Sequence, residues 1–311
     1  MLKSYTFNLI IFIVLIIQID IFTKISASRQ ELTWTDNTAF GCNFTFNDTF
    51  KKIESIEKDK CKSNCIQTYG CSHFVWNKNK NGTCILKKND ISQDNLVISN
   101  DLTSMCGIVE GNPLVNDVHT LKHVYINDEG ACLLPAESYA IKYPIALGNR
   151  ETLDYLKFRP QLCGHVLEID CGLGKFDAVI MNSNFGGGLE LYESLWEAAV
   201  PKRNKKMNEA RCNVTLSKKN PFTSTDYKCY HGTDQTDNVY FRSLGLFNTR
   251  GKVVVAAQMN GRNGTLTENG YFTFYNFGTE EDLVTFYFEF GGSYSVYLKD
   301  CPGNSKKQQW S

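Results

Sequence analysis

The run "VIMNSNFGGGLELYESLWEAA", Val179 to Ala199, joins three textures. Its start belongs to "FDAVIMN" (Phe176 to Asn182), which is apolar on both faces for most of its length, as in a strand covered on each side. A polar, glycine-rich loop follows. The glycines at 186, 187 and 188 leave a low wall where another chain can approach the backbone. From Leu191 to Ala199 the pattern predicts an amphipathic helix, with Leu191, Leu195, Ala198 and Ala199 as its buried stripe. Glu190 sits at the expected helix start.

Strand signals surround this run. "HVLEID" (His165 to Asp170) alternates apolar and polar residues, and "CNVTLSKKN" (Cys212 to Asn220) closes the region. Further on, "LVTFYFEF" (Leu283 to Phe290) puts Val284, Phe286, Phe288 and Phe290 on one face. Gly291 and Gly292 turn it into "YSVYLKDC". Asn-Gly pairs at 260, 263 and 269 mark more turns, so an antiparallel sandwich is expected over 224–301.

The chain has 311 residues, enough for two or three domains. Lys+Arg and Asp+Glu are both 33, so no long-range field draws in nucleic acid or an anionic membrane. Residues 1–28 read as a secretory signal: Lys3, then the apolar core Leu9 to Ile17, then small residues at 26–28. After cleavage no membrane segment is expected. Twelve cysteines suit an oxidising compartment, and five Asn-x-Ser/Thr triplets point the same way: Asn43, Asn47, Asn81, Asn213 and Asn263. A secreted, extracellular or cell-wall location follows.

The cysteines form two sets of six. Cys42, Cys61, Cys65, Cys71, Cys84 and Cys106 crowd the N-terminal block; Cys132, Cys163, Cys171, Cys212, Cys229 and Cys301 spread over the rest. Residues 108–116, with Gly, Asn and Pro, read as a linker, and 302–311 as a polar tail. The Cys61/Cys65 spacing puts both sulfurs on one face of a short helix. A block this small needs crosslinks, each contributing about 2–4 kcal/mol. Among the downstream six, fifteen pairings are open. Cys229–Cys301 is favoured because it ties the ends of the last sheet, and Cys132, Cys163, Cys171 and Cys212 stay unassigned.

"CKSNCIQTYGCSHFVWNKNKNGTCILKK" resembles the PAN/apple module; the resemblance covers about Trp34 to Gly107, within a module expected over 29–107. The resemblance implies an α+β fold, the pairs Cys42–Cys106, Cys61–Cys84 and Cys65–Cys71, and binding of a glycan or glycoprotein without catalysis. Residues 117–223 resemble the six-stranded double-psi β-barrel of expansins, barwin-like proteins and family 45 endoglucanases. The matching pieces are Gly130 to Gly148, Leu162 to Cys171 and Val179 to Ala199. One departure is Val166, where expansins have a cysteine. The whole chain is thus expected to be mainly β: a PAN/apple-like α+β module, a double-psi barrel and a C-terminal sandwich.

The resemblance implies a protein that binds cell-wall polysaccharide (cellulose, chitin or another glucan) and loosens it without hydrolysis. The alternatives are an inverting, family 45-like β-glucanase, and a secreted effector or inhibitor that binds protein. In the endoglucanases an Asp at the helix start is the acid, and Glu190 occupies that place. Glu190 then has three readings: a groove-floor group bonding sugar hydroxyls, a helix-start charge, or a general acid. Helix N-termini favour ionised carboxylates, which argues against the third. The base is unassigned, with Glu137, Asp128 and Glu129 nearby in sequence and Glu137 the candidate carried forward. Asn182 and Asn184 are sugar-hydroxyl partners or loop caps. Tyr271, Tyr275 and Phe277 alternate on one strand face and either stack on sugar rings or pack between sheets. No Gly-x-Ser-x-Gly elbow, His-Glu-x-x-His pair or Rossmann fingerprint is present, and the five histidines are scattered, so no cofactor and no metal are expected.

Overall fold

The computed structural model describes residues 32–304 except 46–47, 90, 92–94, 125–129, 233–239, 276–278 and 280. The expected signal (1–28), Asn47, Asp128, Glu129, Phe277 and the tail beyond 304 therefore lie outside the described residues. The rest is mainly β.

The N-terminal block holds β1 (Thr38–Phe40), β2 (Cys42–Phe44), β3 (Thr49–Glu54), helix α1 (Lys58–Ile66), β4 (His73–Asn77), β5 (Thr83–Lys87), β6 (Leu96–Ile98) and β7 (Met105–Ile108). Five strands form one antiparallel sheet in the order β1-β7-β4-β5-β3, and β2 pairs with β6. Cys61 and Cys65 are the buried residues of α1. Their bridges, Cys61–Cys84 and Cys65–Cys71, pin the helix to this sheet, and Cys42–Cys106 ties its ends. These are the three pairs named from the sequence.

The next strands are β8 (Val115–Lys122), β9 (Pro144–Gly148), β10 (Val166–Asp170), β11 (Lys175–Asn184), β12 (Leu189–Leu191) and, after helices α2 (Glu193–Ala199) and α3 (Lys202–Lys205), β13 (Glu209–Leu216). They close a barrel in the order β10-β11-β9-β12-β8-β13. Two of its pairings, β9/β11 and β8/β12, are parallel. The interior is filled by side chains such as Ile145, Leu147, Leu167, Ile169, Val179 and Leu191, all fully buried. Cys132–Cys163 and Cys171–Cys212 brace it. Within 108–116, Ile108 pairs in β7 (opposite His73) and Val115 in β8 (opposite Val214).

Two four-stranded sheets follow. One is β14 (Lys228–His231), β15 (Phe241–Phe247), β19 (Phe272–Tyr275) and β18 (Thr265–Leu266). The other is β17 (Arg262–Asn263), β16 (Val254–Met259), β20 (Leu283–Phe288) and β21 (Ser293–Tyr297). Leu244, Phe272, Phe274, Val284, Phe286 and Phe288 pack between them, and Cys229–Cys301 closes the ends. Phe290 leaves the expected stripe. It lies past the end of β20 and sets its ring edge-on to Tyr69 of the N-terminal block, with centroids 4.9 Å apart.

The three parts meet in one polar and aromatic junction. Arg159, before β10, grips Glu289 with both terminal nitrogens, at 2.7 and 2.6 Å. The Tyr69 hydroxyl donates to the same carboxylate at 3.2 Å, and its ring stacks on Tyr155 at 4.2 Å. Bidentate, charge-assisted bonds of this kind fix orientation as well as contributing energy.

Burial also sets a pH dependence. His165 and His231 are 7% and 1% exposed, and loss of hydration pushes both imidazoles down to about 4 from the usual 6.5. His73 is pulled down by burial and up by Asp48, with burial the larger effect. Because the folded values are depressed, the stabilisation is complete above pH 6.5. It is lost as pH falls toward 4, where the unfolded chain takes protons that the folded chain refuses. At pH 5.5 the expected loss is roughly 1 kcal/mol for each of His165 and His231. A melting temperature that is unchanged between pH 7 and pH 5 contradicts this.

Candidate functional site: a barrel carboxylate cluster and an outer aromatic face

Glu190 does not start a helix. It lies in the middle of β12, opposite Leu121 and Ala146, and α2 begins only at Glu193 with Tyr192 as its N-cap. Leu191 is accordingly a barrel strand residue, and the buried stripe of the short helix is Leu195, Trp196 and Ala199, with Ala198 half-buried. A three-residue strand has no periodicity of its own. It exists because β8, parallel on one side, and β9, antiparallel on the other, supply its partners.

That pairing brings His123 to Glu190 across 67 positions of sequence. The His123 backbone N–H donates to Leu191 O at 2.8 Å. Its ring Nδ1 lies 2.7 Å from Glu190 Oε2, and its ring stacks on Tyr192 with centroids 4.0 Å apart. Glu190 keeps 22% of its side chain exposed, against 4% for His123. Beside them Lys122 pairs with Glu193. The cluster is thus a mostly buried carboxylate, oriented by an imidazole, with aromatic surface beside it.

The other expected residues have different engagements. Glu137 accepts the Tyr230 hydroxyl from β14, facing the sandwich. Asn182 Oδ1 accepts the N–H groups of Ala131 and Ser183, both at 2.9 Å. Asn184 Oδ1 accepts the Gly187 N–H at 2.9 Å. Both amides are therefore spent largely on the loop backbone, which fits the capping role. Gly187 and Gly188 serve packing rather than access, while a Cβ at Gly186 would stand in open space. At Gly188 (φ +108) a Cβ would stand 2.4 Å from His119 O, and at Gly187 (φ +75) it would overlap the Arg150 side chain.

Tyr271 is a correction. It is fully buried: its hydroxyl donates to Leu133 O at 3.1 Å and its ring sits edge-on to Phe247. The barrel covers that end of the strand face, so the ring cannot meet a sugar. Tyr275, further along the same face, is 59% exposed beside Phe241.

A second exposed face was missed. On the outer side of the β17-β16-β20-β21 sheet, Tyr287 and Tyr297 stand 36% and 48% exposed. Tyr287 donates to Gln258 Oε1 at 2.9 Å, Gln258 donates to Asn263 Oδ1 at 2.9 Å, and Thr285 and Ser295 hydroxyls lie 2.9 Å apart. The alternation of "LVTFYFEF" holds the signal: if Phe286 and Phe288 face the core, Tyr287 faces out.

In the N-terminal block Ser72, His73 and Asp48 form a chain of contacts, Ser72 Oγ to His73 Nδ1 at 2.9 Å and His73 Nε2 to Asp48 Oδ2 at 3.1 Å. The His73 ring is fully buried, Ser72 donates to Asn89 O, and Asp48 also holds Lys87 at 3.0 Å. A base sealed from solvent cannot serve a leaving group, so this is a core network. Among the described residues no group of three or more His, Cys, Asp and Glu could hold a metal. None of the described helices is long and apolar enough to cross a membrane.

No protein-family model and no curated protein matches the chain. Solved structures similar to it include two of an expansin from Clavibacter michiganensis, one without ligand and one of a point mutant in complex with cellohexaose. Each is 13% identical, with a TM-score of 0.44, over 63% of this chain and 93% of the expansin chain.

Proposed function

We propose that the chain is a secreted, expansin-like protein that binds cell-wall polysaccharide and loosens it without hydrolysis. The segment 29–107 is read as a PAN/apple-like module holding it to a glycan or glycoprotein, 117–223 as the expansin-like barrel and 224–301 as the carbohydrate-binding sandwich. The observation that carries the reading is the outer sandwich face. Exposed tyrosine rings beside the Thr285 and Ser295 hydroxyls and the Gln258 amide match what a sugar chain presents: flat C–H faces and ring hydroxyls. Glu190 would add a charged acceptor on the barrel. The engagement of Glu137 by Tyr230 supports a non-hydrolytic role, since an inverting hydrolase needs a second carboxylate opposite the first. One observation favours a protein-binding alternative: Phe40, Val97, Ile98 and Leu102 are exposed on the N-terminal block.

The test is binding to a panel of insoluble cellulose, chitin and β-glucan, with reducing sugar measured in the same tubes. Replacing Tyr287 and Tyr297 together by alanine is expected to weaken binding about tenfold. Glu190→Ala is expected to do the same by removing a charged acceptor. Sugar release that disappears in Glu190→Gln would show an enzyme instead.

A further inference from the structure

The junction of the three parts forms a cavity of about 280 Å³ that is half open to solvent. Junctions between domains are where small-ligand sites concentrate, and this volume suits one or two sugar units rather than a folded partner. Its wall is electrostatically one-sided. Lys218, just beyond β13, and Arg250 and Lys252, between β15 and β16, all line it. The carboxylate on the same wall, Glu289, is already held by Arg159 and Tyr69. Arg250 already donates to Thr225 O at 3.2 Å and the Lys252 ammonium lies 5.5 Å from the Phe288 ring centroid, so an anion entering the cavity would add to these contacts, with the carboxylate of Glu289 already compensated.

The remaining wall is amphipathic. The rings of Tyr69, Tyr227 and Phe290 supply apolar surface, and Asn89 supplies an amide. Aromatic faces suit the C–H side of a pyranose, amides suit its hydroxyls, and guanidinium and ammonium groups suit a carboxylate on the ring. We propose that the junction binds an acidic saccharide, a short run of uronic acid units. An acidic peptide would satisfy the cations but would leave the ring surfaces uncovered. The site shares no residue with the Glu190 cluster or the outer tyrosine face, so it stands whether or not those bind neutral polysaccharide. It exists only while the N-terminal block stays docked, because Tyr69 and Asn89 come from that block.

The experiment is calorimetric titration of the intact protein with tetragalacturonate, cellotetraose and tetraglutamate peptide. Saturable tetragalacturonate binding is expected, weakening as salt rises. It should fall at least tenfold in Lys218→Glu and in Arg250→Gln, with melting temperatures unchanged and cellotetraose unaffected. The absence of saturable tetragalacturonate binding by the unmodified protein overturns the proposal, as does undiminished binding in both variants. Equal binding of tetraglutamate also overturns it, by making this a general acidic-peptide site. Loss of insoluble-polysaccharide binding alone would count against the expansin-like reading and leave this site untouched.

Discussion

Tyr271→Ala is expected to lower stability by about 3–5 kcal/mol and to leave polysaccharide binding per folded molecule unchanged. The ring is fully buried between barrel and sandwich, against Phe247 and within van der Waals reach of Gly245, where an added Cβ would lie 2.9 Å from it. Truncation leaves a cavity the size of a phenol that rigid sheets on either side cannot collapse to fill. Tyr271→Phe removes only the bond to Leu133 O and the weaker contact from Asn304, so it should cost about 1 kcal/mol. Thermal melts of both variants beside binding isotherms decide the matter. Weakened binding with an unshifted melt would mean that the ring is exposed to ligand after all.

The second large effect is expected at Glu289. Replacing it by alanine strands the Arg159 guanidinium and the Tyr69 hydroxyl together. Breaking one partner of a buried ion pair costs about 3–5 kcal/mol, and the partial exposure here, 29% for Arg159 and 23% for Glu289, brings the expected figure to about 2–3 kcal/mol. The loss should be local. The N-terminal block would swing away from the other two parts while each kept its own disulfides. Small-angle scattering should show a larger radius of gyration, and proteolysis should cut first within residues 109–114. A compact, resistant Glu289→Ala protein would show that the aromatic contacts of Tyr69 hold the junction without the carboxylate.

Sequence pattern carried much of the fold. Alternation in Val166–Asp170 and Leu283–Phe288 and the two sets of cysteines are local signals, and local signals survive in one dimension. What failed was whatever depends on distant cover. Tyr271 and Tyr275 share a strand face, and nothing in their spacing says that the barrel roofs one and not the other. The segment Leu189–Leu191 fits the first turn of a helix as well as it fits a strand, and β8 and β9, far back in the chain, decide. His123 is the partner of Glu190 for the same reason: parallel pairing is a long-range fact. Tyr287 was legible in principle, because the opposite face of a strand follows once one face is assigned.

The pairing of β1 with β7 sets Thr38 opposite Gly107, so the chain enters and leaves the N-terminal block at one point. A protein anchored at both ends carries tension. Here tension could peel the β1/β7 pairs Thr38/Gly107, Ala39/Cys106 and Phe40/Met105 and the β4/β7 pairs His73/Ile108 and Phe74/Gly107 before reaching the Cys42–Cys106 bond. From there the load path runs through sulfur and bypasses everything from Asn43 to Met105. The helix and most of the sheet of that block would stay slack while the chain around them is pulled.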